Sequence, residues 1–186
     1  MIRKLMILSA VLFYGSVAFS QEVKNDVDGT KTKMDAFVSK TGTITKFVDT
    51  KLPNLRTSLG GFATTRIRKL TSGSTSAYFY QIVKGGSYGS NTASIEYSDL
   101  GEIINALKLL KSEVDKDIAS KPDYLENKFI TVDGFQIGYY ISNEKPTWYI
   151  KLESYGSDNT IYLKSGDDIE VPFIEAKAKI EELKKE

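Results

Sequence analysis

The sequence predicts an α+β fold made of two copies of a β-β-β-β-α unit, and three observations support this prediction. The motif Ser-Tyr-Gly-Ser occurs at positions 87–90 and again at 154–157. A short β-branched run follows each copy, and an acidic segment that begins an amphipathic helix follows each run. A sheet must cover its apolar face, and each unit has one helix for this purpose. We therefore expect residues 42–120 and 122–186 to form antiparallel sheets that pack with two helices around a shared core, as one pseudo-twofold domain over 42–186.

The first repeat contains four strand-like segments, which lie at 42–49, 62–70, 78–83 and 92–97. The first of them is rich in threonine and β-branched residues, and Pro53 argues against a competing helical pattern. Apolar residues at three- and four-residue intervals then predict a long helix that ends near Ser120. Asp99 is expected as its N-cap, with Glu102 as the capping partner.

The second repeat follows the same order in a shorter stretch of chain. Its strands are expected at 129–132, 135–142, 147–152 and 160–164. Asp133-Gly134 predicts a tight hairpin between the first two of them. The final helix contains Pro172, which we place in the first turn because a missing N–H costs nothing there. Its apolar stripe consists of Phe173, Ala176, Ile180 and Leu183.

Both copies of the Ser-Tyr-Gly-Ser motif are expected to connect the third strand of a unit to the fourth. Gly89 and Gly156 can adopt positive φ at these places. Asn91 or Asp158-Asn159 can hydrogen-bond the backbone of the turn. A duplicated hairpin connection accounts for the motif without any ligand, so its two copies indicate architecture before function.

The amino-terminal segment is typical of a secretory signal peptide. Two basic residues precede a short apolar run, and small residues lead to a cleavage point near Ser20/Gln21. The apolar run is shorter than the roughly 20 residues that a membrane-spanning helix needs. We expect residues 1–20 to be removed and the protein to be soluble and exported, either periplasmic or secreted. Residues 21–41 are expected to form a polar, partly mobile leader that becomes ordered near Met34.

Charge and composition exclude several classes of function. Removing residues 1–20 removes two basic residues and no acidic ones, so the net charge changes from +1 to −1. This balance provides no long-range field that attracts nucleic acid or acidic lipid. The chain has no cysteine and no histidine, which removes thiol nucleophiles, thiolate metal sites, Ser-His-Asp catalysis and the commonest metal ligand. We expect no enzyme activity, no cofactor and no metal; a carboxylate-dependent hydrolase using Asp158, Asp167 or Asp168 is an alternative.

All arginines that follow the signal segment lie close together in the sequence, at Arg56, Arg66 and Arg68. Arg66 and Arg68 are two residues apart on a predicted strand and therefore share a face, about 6–7 Å apart. Their guanidinium groups could grip a phosphate, sulfate or carboxylate by forked hydrogen bonds. The alternative is a solvated strand face on which both arginines pair with acidic residues across the strands.

Aromatic residues offer a second candidate site. Those considered are Tyr78, Tyr80, Tyr88, Tyr139, Tyr140, Trp148, Tyr149, Tyr155 and Tyr162. Tyrosines on a sheet can form a platform that stacks sugars or bases, and the alternative is core and cross-strand packing. Trp148 and Tyr149 point to opposite faces of a strand, so one of them is expected to lie outside. Tyr88 and Tyr155, in glycine-containing loops, are the best candidates for exposed ligand contacts.

The order of elements from Thr43 to Leu183 resembles the plan of the whirly-type group of single-stranded nucleic-acid binders. The resemblance implies the duplicated architecture and, for function, nucleic-acid binding. The lysine-rich glycine motif of the plant whirly proteins has no counterpart in this sequence, and export and the net charge both argue against nucleic acid. The sequence thus predicts a non-enzymatic exported protein that binds a ligand or associates with another exported protein. An anionic-ligand or glycan binder that uses Arg66, Arg68 and the loop tyrosines is the more specific alternative.

Overall fold

The structure is a computed structural model that describes residues 31–86, 89–154 and 156–186. The helices in these ranges are α1 (Lys33–Val38), α2 (Tyr97–Ala119) and α3 (Asp167–Leu183). The strands are β1 (Thr45–Arg56), β2 (Phe62–Ser72), β3 (Thr75–Gly86), β4 (Gly89–Glu96), β5 (Tyr124–Ile130), β6 (Gln136–Ser142), β7 (Lys145–Lys151) and β8 (Thr160–Leu163). None of these helices combines the length and apolarity that a membrane span requires.

The strands form two antiparallel sheets with the same simple order. The first sheet has the order β1-β2-β3-β4, and the second has the order β5-β6-β7-β8. A helix follows the last strand of each sheet, α2 in the first half and α3 in the second. The predicted α+β fold of two β-β-β-β-α units is therefore confirmed.

Each helix packs on the sheet of the other repeat. α3 contacts β1, β2 and β3 of the first sheet, whereas α2 contacts β5, β6 and β7 of the second sheet as well as β3 and β4 of its own. The two helices also pack against each other. One continuous apolar cluster results, in which Ile67 and Tyr80 come from the first sheet, Tyr139 and Trp148 from the second, and Phe173 from α3. The predicted shared core is thus present, and neither repeat covers its own sheet alone.

Residues on either side of the first copy of the motif contact the end of the second copy and the residues that follow it. Lys84 Nζ, at the end of β3, donates to Asp158 Oδ1 at 2.5 Å, to the Asp158 carbonyl at 2.9 Å and to the Thr160 carbonyl at 3.0 Å. Asn91 Nδ2 donates to the carbonyls of Ser157 and Asp158 at 3.3 and 3.0 Å. We expected Asn91 to bond its own turn, and it bonds the other copy instead. Residues that flank the two copies therefore join the two sheets.

The two glycines of the motif have positive φ, as predicted. Gly89 has φ of 145° and Gly156 has φ of 97°, a region that residues with a Cβ rarely enter. Asn159 Nδ2 donates to the Glu153 carbonyl at 2.8 Å, within its own connection. The two connections nevertheless differ in length, since β3 and β4 form a tight hairpin while β7 and β8 are joined by residues 152–159.

The short helix α1 lies on the outer face of the first sheet, the face that points away from the core. Gln81 Nε2 donates to Met34 Sδ at 3.5 Å, and the Lys33 N–H donates to Asp133 Oδ2 at 3.0 Å. The Lys33 ammonium pairs with Asp99 and, at 3.5 Å, with Glu96. The leader is ordered near Met34 as expected, but its helix was not foreseen. α1 therefore links the outer face of the first sheet to the β5–β6 turn.

Several predicted boundaries are wrong. β1 spans Thr45–Arg56, with Pro53 inside it, rather than residues 42–49. β5 begins at Tyr124 rather than Phe129. α2 begins at Tyr97 with Glu96 at the N-cap position, because Asp99 lies inside the first turn and pairs with Lys33. Pro172 is the sixth residue of α3 rather than a first-turn residue.

Candidate functional site

A row of four tyrosines crosses the outer face of the second sheet, with one residue on each strand. Its members are Tyr124 on β5, Tyr140 on β6, Tyr149 on β7 and Tyr162 on β8. Side chains alternate between the faces of a strand, and the neighbouring positions Tyr139 and Trp148 belong to the core. The four tyrosines consequently point away from α2 and α3. We call them the tyrosine row.

Neighbouring rings of the tyrosine row lie close to one another. The ring centroids of Tyr124 and Tyr140 are 6.1 Å apart with an interplanar angle of 25°, and those of Tyr140 and Tyr149 are 6.5 Å apart at 38°. Tyr149 and Tyr162 are direct cross-strand partners. The two end members are exposed, Tyr124 by 63% and Tyr162 by 41%, whereas Tyr149 is only 6% exposed. The row is therefore packed at its middle and open at both ends.

Glu126 lies within the row, directly across the strands from Tyr140. The Tyr149 hydroxyl donates to Glu126 Oε1 at 2.6 Å, and Lys128 Nζ lies 3.3 Å from Glu126 Oε2. The hydrogen bond from Tyr149, followed by that from Lys128, holds the pKa of Glu126 below its usual range. Burial raises the pKa of Tyr149, so its hydroxyl stays a donor. The middle of the row thus carries an ionised carboxylate at neutral pH.

The burial of Tyr149 corrects one prediction. Trp148 and Tyr149 do point to opposite faces of β7, but Trp148 is 5% exposed in the core and Tyr149 is 6% exposed on the outer face. Tyr149 is buried outside the core because its ring packs beside Tyr140 and its hydroxyl is bonded to Glu126. Neither residue is an exposed platform by itself.

Gly138 lies on β6 among the residues of the tyrosine row and lacks a side chain where two strands approach closely. It lies across the strands from Tyr149, and a Cβ at this position would come 2.3 Å from the Asn127 carbonyl oxygen and 2.9 Å from the Lys128 Cα. No side chain fits such a distance, because β5 and β6 approach too closely. Gly138 therefore permits the close pairing that holds Glu126 beside the tyrosines.

The first sheet shows that the repeat does not require these tyrosines. The buried cross-strand pairs Ile67–Tyr80 and Tyr139–Trp148 are equivalent when the two strand ladders are superimposed. The positions of Tyr124, Glu126, Tyr140, Tyr149 and Tyr162 are then occupied in the first sheet by Phe47, Asp49, Arg68, Gln81 and Ser94. The acidic residue is common to both sheets, whereas only one of the four tyrosine positions has an aromatic residue in the first sheet, Phe47. The β-β-β-β-α unit therefore folds without tyrosines at these positions, and the fold alone does not explain the tyrosine row.

Arg66 and Arg68 share the outer face of the first sheet, as the sequence predicts. Arg68 donates from Nε and Nη2 to the two carboxylate oxygens of Asp49, both at 2.7 Å. Arg66 Nε donates to Gln81 Oε1 at 2.8 Å and lies 3.4 Å from Asp49 Oδ2. The hydrogen bond with Arg68 lowers the pKa of Asp49. Cross-strand pairing thus occupies the fork of Arg68, and an anionic ligand would have to displace Asp49.

Of the other predicted site residues, only Arg56 lies within the described ranges, and it does not join Arg66 and Arg68. Arg56 lies at the end of β1, where it lines a hollow of 850 Å³ together with Lys164 and Asp168 among others. Tyr88 and Tyr155 fall outside the described residues. Their predicted role in ligand contact stays a prediction.

The candidate catalytic carboxylates each have a polar partner. Asp158 pairs with Lys84, Asp167 pairs with Lys111, and Asp168 Oδ2 accepts from Ser165 Oγ at 2.9 Å. Within the described ranges, no group of three or more acidic side chains is arranged to hold a metal ion. These pairings are sufficient to explain the three aspartates as structural residues.

Sequence reasoning missed Tyr124 and Glu126. Both were assigned to a connection, because the expected strand began only at Phe129. The signal that reveals them is the strict alternation from Tyr124 to Ile130, in which exposed and partly buried positions follow each other along β5. No protein-family model matches the chain, and no curated protein and no solved structure is significantly similar to it.

Proposed function

We propose that this protein binds carbohydrate chains on the tyrosine row of the second sheet. The observation that carries the proposal is one outward tyrosine on each of four adjacent strands, with the two end rings exposed. Three of the four equivalent positions in the first sheet have no aromatic residue, which argues for a role beyond folding.

The chemistry of the face suits a sugar. The C–H groups of a pyranose ring form an apolar surface that packs against the electron-rich face of an aromatic ring. Hydroxyl groups around the sugar need both donors and acceptors, and the face offers the Glu126 carboxylate, the tyrosine hydroxyls and the outward Lys151 beside Gln136. A few polar groups among aromatic rings are the usual composition of a small-molecule binding surface.

The same face is poorly suited to nucleic acid, which the whirly-type resemblance implies. Base stacking on tyrosine is chemically possible, but the phosphate backbone requires neutralisation by basic residues. The ionised Glu126 lies in the middle of the row, and Lys128 is already paired with it. A net charge of −1 without residues 1–20 adds no attraction over distance.

Export forms part of the proposal. Removal of residues 1–20 near Ser20/Gln21 would release a protein outside the cytoplasm, where it would meet the polysaccharides of a cell envelope or its surroundings. We assign it no catalytic role, because the three candidate aspartates are each engaged elsewhere. The protein therefore functions by binding.

Affinity electrophoresis of residues 21–186 tests the class of ligand. Native gels would contain hydroxyethylcellulose, soluble starch, glycol chitin, alginate or heparin, and fluorescence polarisation would measure binding to oligo-dT. We expect retardation by at least one neutral polysaccharide and no binding to heparin or oligo-dT. Binding to oligo-dT without retardation by any polysaccharide would favour nucleic acid, and a protein that ignores every probe would contradict the proposal.

A further inference from the structure

The tyrosine row ends at a hollow that lies between the two sheets. The Ser58 N–H, in the β1–β2 loop, donates to the Tyr162 carbonyl at 2.8 Å and so brings this loop to the outer edge of β8. The hollow has a volume of about 430 Å³ and is lined by Thr57, Ser58, Leu59, Lys84, Asp158, Thr160, Ile161 and Tyr162. Because Tyr162 belongs to both the row and the hollow, the two form one continuous surface.

The row and the hollow together are longer than one sugar. The row crosses four adjacent strands obliquely, so it is longer than the three strand spacings of about 14 Å that it crosses. Its rings follow one another at 6.1 and 6.5 Å where their separations are defined. Steps of this size repeat at about the length of one pyranose unit in an extended chain. A single sugar would contact one exposed ring, whereas a chain could contact both exposed end rings, Tyr124 and Tyr162, and pass over the closed middle of the row.

The hollow favours an uncharged chain end. The Lys84 ammonium has three N–H groups, and Asp158 Oδ1, the Asp158 carbonyl and the Thr160 carbonyl accept from it. Lys84 therefore has no donor left for a ligand anion. The Asp158 side chain is 63% exposed and can accept hydrogen bonds from sugar hydroxyls. A uronate or sulfate group in the hollow would meet this carboxylate without a free cation to offset it.

We infer that the site binds a linear, neutral oligosaccharide that lies across β5, β6, β7 and β8, with one end seated in the hollow beside Leu59. The inference rests on the proposed carbohydrate function and adds that the chain is linear and neutral and that the hollow holds one of its ends. Leu59 is 90% exposed, and its apolar side chain lies where the chain would leave Tyr162. A longer chain therefore gains contacts that a shorter one lacks, until the surface is filled.

A chain-length series tests this inference. Isothermal titration would use cello-, chito- and malto-oligosaccharides of one to six sugars, with oligo-uronates of the same lengths as the charged comparison. In the oligosaccharide series that binds, we expect affinity to rise with chain length to about four sugars and then to level off, because the row extends over four strands before it reaches the hollow. The uronates should bind more weakly than the neutral chains of equal length.

A pair of leucine variants separates the hollow from the row. Leu59→Ala should weaken the longest bound chain about fivefold and leave the disaccharide unchanged, since only a long chain reaches the hollow. Leu109→Ala removes a leucine of α2 that is 68% exposed, and it should change neither. Three results would overturn the inference: affinity that does not grow with chain length, tighter binding of uronates than of neutral chains, or equal effects of Leu59→Ala on short and long chains. Retardation by a neutral polysaccharide would still support the proposed function in each case. Failure of both the oligosaccharide series and the polysaccharide gels would overturn the proposed function as well.

Discussion

Tyr149 and Glu126 form the best-defined polar contact of the tyrosine row. Tyr149→Phe removes the hydroxyl that donates to Glu126 Oε1 and keeps the ring. We expect the free energy of unfolding to fall by about 1 kcal/mol at pH 7, because a hydrogen bond to a charged group is lost at a partly exposed place. Urea unfolding measures this change. Tyr162→Phe is the control, since its hydroxyl has no such carboxylate partner, and its stability should stay within error of the wild type.

The same contact predicts a pH dependence. The pKa of Glu126 is lowered in the folded protein, so between the folded-state and unfolded-state pKa values the unfolded state binds more protons than the folded state. The stabilisation is therefore complete above the unfolded-state pKa of Glu126 and is lost as the pH falls through its folded-state pKa. The stability difference between the wild type and Tyr149→Phe should shrink on acidification. A difference that stays constant from pH 7 to pH 3 would contradict the role of the ionised carboxylate.

Gly138 allows β5 and β6 to pair closely beside the tyrosine row, so its substitution should lower the stability of the protein. Gly138→Ala would place a Cβ 2.3 Å from a backbone oxygen of β5, so we expect a loss of about 2 kcal/mol or more, measured by thermal unfolding. Gly101→Ala is the matched control, because a Cβ there meets nothing within 4 Å and alanine is the better helix former. Gly101→Ala should be neutral or stabilising. Equal stability of the two variants would show that the close pairing of β5 and β6 is not as described.

At the scale of elements, Lys84 of β3 joins the first sheet to Asp158 and Thr160 at the start of β8. Lys84→Met removes three hydrogen bonds from the Asp158 and Thr160 groups. We expect a loss of about 1 kcal/mol and faster amide exchange in β8, because its outer edge loses a partner. Hydrogen exchange detected by mass spectrometry measures the exchange rates of the β8 amides. Lys116→Met, at a side chain that is 81% exposed, should alter neither stability nor exchange.

Most strands and helices could be predicted from the sequence, and what could not be predicted depends mostly on contacts between distant parts of the chain. The strands and helices of both repeats were predictable because turn residues and hydrophobic periodicity are local signals. The start of β5 was missed although the alternation from Tyr124 to Ile130 is a local signal. The grouping of Tyr124 and Glu126 with Tyr140 and Tyr149 could not be predicted, because it depends on the pairing of β5 with β6 and of β6 with β7. α1 was missed because its partners, Gln81 and Asp133, are distant in sequence. Sequence reasoning likewise paired Arg66 and Arg68 on one face but could not identify Asp49 as the residue that fills the fork of Arg68.

At the scale of the whole molecule, reciprocal packing of the helices makes each repeat depend on the other. α3 covers the first sheet and α2 covers much of the second, so residues 34–120 and 122–186 expressed separately should each expose an apolar sheet face. We expect both fragments to be largely unfolded or aggregated by circular dichroism and size-exclusion chromatography. Mixing them during refolding should restore native structure. Two independently folded monomeric fragments would contradict the shared core.

The most direct test of the account is the affinity of a tyrosine-row variant for a neutral oligosaccharide of about four sugars. Tyr124→Ala with Tyr162→Ala removes the two exposed rings, while Phe62→Ala removes an aromatic ring of the first sheet that is 62% exposed, nearly the same as the 63% of Tyr124. Isothermal titration should show about a thirtyfold loss of affinity for the tyrosine variant, or about 2 kcal/mol for two stacking contacts, and no change for Phe62→Ala. A folded tyrosine variant that binds as tightly as the wild type would contradict the assignment of carbohydrate binding to this face.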